Sequence, residues 1–172
     1  MSFSMLFCIV FTMGAVFFEC KWEKVPNLWI IAGLQISMAE HLSGEVIQGL
    51  GSAVIRFWGG IFLVLFLFFP LFLGKMIGTG DIKVLAVLGS VLGPRKILFC
   101  IVTAFLLGAI ESLFLLFFRC DWRQRFLYFF QYLQRAYVER SLPPYLVPGK
   151  RPENIHFTIP ILGSVLLLYL GG

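Results

Sequence analysis

Two stretches of this chain carry no charge for the length of a membrane crossing, and a third carries one. Met1–Phe18 and Phe57–Gly74 have none; Ile97–Phe118 has only Glu111. A helix rises about 1.5 Å per residue against a hydrocarbon core about 30 Å thick, so each run reads as a spanning helix. The rest agrees: 59% of residues are hydrophobic and 13% charged, where soluble domains average about 45–50% and about 25%. The expectation is an all-α, polytopic membrane protein folded as one domain over residues 1–172.

About six transmembrane segments are expected. Met1–Phe18 lacks the basic start and small-residue cleavage site of a signal peptide, so it reads as a retained first helix. Val25–Ala39 is the second, Val46–Gly74 the third, Ile82–Leu92 a short fourth, Ile97–Phe118 the fifth and Ile155–Gly172 the sixth. The fourth is too short to cross comfortably, and Gly93-Pro94 breaks the chain after it. Between the last two, Phe126, Phe129, Phe130, Leu133 and Tyr137 fall on one helical face among arginines. This predicts an amphipathic helix lying in the interface and touching membrane lipid, with a partner-facing or soluble-side helix as the alternative.

Lysine and arginine set the orientation. Lys21, Lys24, Lys75 and seven basic residues from Arg119 to Arg151 follow segments one, three and five; the acidic "EHLSGE" follows segment two. The odd connections are expected in the cytoplasm and both termini outside. The net charge of +5 fits loops facing anionic lipid and gives no reason to expect nucleic acid. Cys8, Cys20, Cys100 and Cys120 form no C-x-x-C pair, so no metal site is expected, and no motif calls for a cofactor.

An acid at membrane depth costs about 2.5–3.5 kcal/mol on insertion scales, which makes each one a functional candidate. Asp81 stands in "GKMIGTGDIKVLAVLG", Gly74–Gly89, where Gly78 and Gly80 permit a tight turn and close backbone approach. Asp81 is also placed to cap the fourth helix. Glu19 ends the first segment at the same expected edge of the membrane, with an interfacial anchor as its alternative role. Two such acids held close cannot both ionise easily: one activates water while the other, keeping the proton, polarises a scissile carbonyl. Lys83 is two residues from Asp81, off its helical face, and is free to snorkel. Glu111 reads as structural.

"GTGDIK", Gly78–Lys83, resembles the G-x-G-D-x-K signature of type IV prepilin peptidases. Their other motif, an acid followed seven residues on by Pro-Asn, is similar to "ECKWEKVPN", which runs from Glu19 to Pro26 and Asn27. The resemblance implies an aspartic endopeptidase without a cofactor. It would remove the leaders of prepilins or pseudopilins at the cytoplasmic face of the bacterial inner membrane, for a type IV pilus or protein secretion system. Asp81 matches the second catalytic aspartate. Glu19 occupies the place of the first, where the family normally has Asp. Gly78, Gly80, Lys83, Pro26 and Asn27 match as supporting residues. The chain looks like the short, peptidase-only type associated with Flp/Tad pili, and no methyltransferase activity is expected.

Two rivals stand beside this reading. One is a catalytically silent relative acting as an assembly or binding subunit, which the Glu19 departure keeps open. The other is a small transporter subunit using Glu111, to which the last two segments add at that depth only Ser112 and Thr158 as polar company.

Overall fold

The computed structural model describes residues 3–48, 50–73, 77–119, 134 and 157–171. Among them there is no strand. The elements are α1 (Phe3–Trp22), α2 (Asn27–Gln48), α3 (Leu50–Leu73), α4 (Thr79–Arg119) and α5 (Thr158–Gly171). Phe3–Trp22, Val54–Leu73 and Thr79–Phe114 are long and apolar enough to cross a membrane, and α5 is a shorter apolar helix. The chain is a helical membrane protein.

The described residues form five helical elements. The fourth and fifth expected segments form one helical run, α4, interrupted at Gly93 (φ 74°, ψ 173°). That left-handed φ suits glycine, and Pro94 follows where a helix must restart without an N–H. The break reverses the chain. Gly89 packs on Gly60 of α3 and Gly93 lies beside Arg56 of α3, whereas Phe105 stacks on Phe68 of α3 with ring centroids 5.8 Å apart. The partner on α3 thus moves backward before Gly93 and forward after it. "EHLSGE" is also not a connection: Glu40–Glu45 continue α2, because nothing in those six residues stops a helix. The expected surface helix around Phe126–Tyr137 lies outside the described residues.

The chain groups into two units, Met1–Gly108 with His156–Gly172, and Ala109–Ile155. In the second, the described part is essentially the end of α4, where Glu111 is half-buried and engaged in interactions of its own. In the first, α1 packs chiefly against α5, and α2 against α3. The buried core is mainly aliphatic and small, with Val64, Val84, Val87, Leu88, Cys100, Ala104 and Val165 beside the aromatic Phe11 and Phe68. Many large side chains point outward, with Phe66 84%, Leu170 79% and Leu28 78% exposed. Such a distribution suits a protein whose solvent is acyl chain, where helices associate through close packing of small residues and interhelical hydrogen bonds. The Gly60–Gly89 crossing is the tightest case, since a Cβ on Gly60 would lie 1.8 Å from the Gly89 carbonyl oxygen.

Candidate active site

Three helix ends meet around Glu19, and each ends or begins there for a local reason. α1 stops at Trp22 because Glu23 turns left-handed (φ 54°), and its N–H bonds the Glu19 carbonyl at 2.8 Å. This is a left-handed C-cap made without glycine. Four residues later Pro26 starts α2: its carbonyl accepts from the Trp29 N–H at 3.1 Å and the Ile30 N–H at 3.4 Å. α5 starts similarly, with the Ile161 N–H bonded to the Phe157 carbonyl at 3.2 Å.

Trp29 fixes α2 against α1. Its indole N–H donates to the Phe11 carbonyl at 3.2 Å, and its ring occupies a slot that only the absent side chain of Gly14 leaves open. Glu19, on the last turn of α1, is half-buried. Its Oε2 accepts a hydrogen bond from the hydroxyl of Thr158, the first residue of α5.

Asp81 comes from the first turn of α4, which begins three residues earlier than the sequence predicts. Asp81 is thus inside the turn, not at the N-cap, and an acid there is favoured by the helix's positive end. Its carboxylate leans back over Gly78, where an added Cβ would lie 3.2 Å from Oδ2. Gly80 faces open space, with nothing within 4 Å of an added Cβ. Neither glycine takes a positive φ; Gly93 is the described glycine that does. Their value here is room, not backbone freedom.

Asp81 and Glu19, far apart in sequence, lie near enough for their carboxylates to act on each other electrostatically. The two motifs also touch directly. Lys83 is exposed, yet its ammonium donates to Asn27 Oδ1 at 2.7 Å. The residues the sequence singles out, Glu19, Pro26, Asn27, Gly78, Gly80, Asp81 and Lys83, therefore gather where α1 ends and α2 and α4 begin. Glu23 is exposed and serves the helix end with its backbone. Sequence reasoning missed the Thr158 contact; a threonine opening an apolar segment as "TIP" is the only trace of it in the chain.

A family model for type IV leader peptidases matches residues 5–113, more than half of the chain. The chain belongs to the type IV leader peptidase family. No curated protein and no solved structure matches it. The matched stretch contains both motifs and stops before α5, so Thr158 lies beyond it. Family membership supports leader-peptidase-like, proteolytic function in a membrane setting.

A cavity of about 490 Å³ lies elsewhere, lined by Ser4, Arg56, Gly93, Arg95 and Lys96 among others. It is at the start of α1, the end remote from Glu19. Among the described residues no group of three His, Cys, Asp or Glu side chains could hold a metal ion.

Proposed function

We propose that this chain is a membrane endopeptidase of the aspartic type, with Glu19 and Asp81 as its catalytic pair. It would remove the leader of a prepilin or pseudopilin at the cytoplasmic face of the inner membrane. The observation that carries the reading is the convergence of two acids from separate helices beside the Lys83–Asn27 link. Paired carboxylates sharing one proton are equipped for peptide hydrolysis. The ionised acid takes a proton from water as the water oxygen attacks the scissile carbonyl carbon. The protonated acid gives its proton to the carbonyl oxygen. When the tetrahedral intermediate collapses, the C–N bond breaks and the leaving nitrogen receives the proton first taken from water.

The roles of the remaining residues follow from position. Lys83 and Asn27 tie the start of α4, which bears Asp81, to the start of α2. Lys21 and Lys24, exposed beside Glu19, favour the cytoplasmic side for this end. The test is co-expression with a candidate prepilin, scored by the mobility shift on leader removal. Processing by the wild type and none by Asp81→Asn or Glu19→Gln is the expected result. Processing by all three would end the reading.

A further inference from the structure

We propose that Thr158 is the positioning residue for Glu19, and that this contact makes the site require glutamate at position 19, not the shorter aspartate. The inference rests on Glu19 and Asp81 being the catalytic pair.

Thr158 is fully buried, and its hydroxyl is used unlike those of Thr12 and Thr103. Thr12 donates to the Cys8 carbonyl and Thr103 to the Phe99 carbonyl at 2.8 Å. Both are bonds back along their own helix that a threonine makes by default. Thr158, at the first position of α5, has no preceding turn to bond and reaches instead to a carboxylate 139 residues away in sequence.

The charges fit as well. Glu19 lies in the last turn of α1, where the helix's negative end opposes a carboxylate. The start of α5 supplies the opposite pole. Phe157, whose carbonyl accepts the first bond of α5, has no side-chain oxygen to cap that end. Glu19 therefore finds at α5 what its own helix denies it, and α5 finds an anion its own cap residue does not supply.

The contact is held by packing. α1 and α5 form the most extensive helix pair described, and Pro160, Ile161, Ser164 and Val165 of α5 are buried. A threonine also has restricted χ1 freedom. From α1, Glu19 must meet Thr158 and still face Asp81. An aspartate falls about 1 Å short, and a misplacement of that size can cost about a hundredfold in rate.

The experiment uses purified wild-type protein and a prepilin peptide, with Thr158→Val, Thr158→Ser, Glu19→Asp and the Thr158→Val/Glu19→Asp double variant. Cleavage by the wild type and its loss in Glu19→Gln upholds the catalytic pair. Against that background, Thr158→Val is expected to lower kcat about 10–100-fold with KM within about twofold. Thr158→Ser should recover to within about threefold of wild type. Glu19→Asp should lose as much as Thr158→Val, and the double variant should lose no more than Glu19→Asp alone, because the two changes remove one contact. Wild-type kcat in Thr158→Val, equal losses in the Val and Ser variants, or full activity in Glu19→Asp would each overturn the proposal while leaving the pair intact. Should Thr158→Val not fold, Glu19→Asp and Thr158→Ser still decide it.

Discussion

The two ends of the helices carry the same interaction and do different things with it. At one end the Thr158 hydroxyl donates to Glu19; at the other the Ser4 hydroxyl donates to Glu40. Each bond joins α1 to another helix, and each glutamate is half-buried. Around Glu40 the neighbouring polar contacts close on themselves. The ring Nε2–H of His41 donates to the Ser90 carbonyl at 2.7 Å, and Ser90 Oγ lies 2.8 Å from Ser37 Oγ. Around Glu19 there is a second acid and open space over Gly80. A hydroxyl–carboxylate bond between helices is by itself ordinary membrane-protein glue. What distinguishes a candidate site is a second carboxylate that glue does not need.

The sharpest break between the ends should be topological. In a Cys20→Ser/Cys120→Ser background, since Cys20 is exposed and Cys120 falls in a connection expected in the cytoplasm, cysteine at Lys24 should react with an impermeant label only from the cytoplasm. Cysteine at Ser43, close to Glu40, should react only from outside. The reverse pattern would put the acids on the wrong face for a leader peptidase.

Next in size is Asp81→Asn. An amide of the same shape can neither hold nor pass the shared proton, so cleavage should fall about 10²–10⁴-fold with insertion unchanged. Glu40→Gln, the matching change at the other end, should leave cleavage within about twofold. Comparable losses would mean that the two ends are not functionally distinct.

The glycines give a smaller and more local contrast. Gly78→Ala brings a methyl to 3.2 Å from Asp81 Oδ2, so the carboxylate must shift by a few tenths of an ångström; cleavage should drop about three- to tenfold. Gly80→Ala meets nothing and should raise stability by about 0.5–1 kcal/mol, with cleavage within about twofold. An equal loss in both would place substrate directly over Gly80.

The residues of this end were legible in sequence because they cluster in two short motifs, and short motifs survive without knowledge of how helices pack. The long apolar runs gave α1, α3 and the membrane class for the same reason: a charge-free span is a local property. What was not legible is pairwise. Glu40–Glu45 read as a loop because they are polar, yet helix α2 continues through them. The break at Gly93-Pro94, by contrast, was legible, and Gly93 takes the left-handed φ that ends one helical stretch before the next begins. Thr158 read as polar company for Glu111, since its bond depends on Glu19 at the opposite end of the chain. Interhelical hydrogen bonds leave no periodicity to read.

The smallest effect, and the cleanest comparison, is Ser4→Ala set against Thr158→Val. Each deletes one hydroxyl that donates to a glutamate, and each does so across a contact made by α1. Loss of such a bond between membrane helices costs about 0.6–1 kcal/mol, which for a chain of this size lowers Tm by about 2–4 °C. Both variants should show that loss of stability. They should part in kinetics: Ser4→Ala keeps wild-type kcat, because Glu40 has no chemistry to perform, while Thr158→Val loses it, because Glu19 does. A fall in kcat with Ser4→Ala as large as that with Thr158→Val would mean that both hydroxyls act by seating α1 as a whole. The hydroxyl at Thr158 would then be packing, and the distinction between the two ends would rest on Asp81 alone.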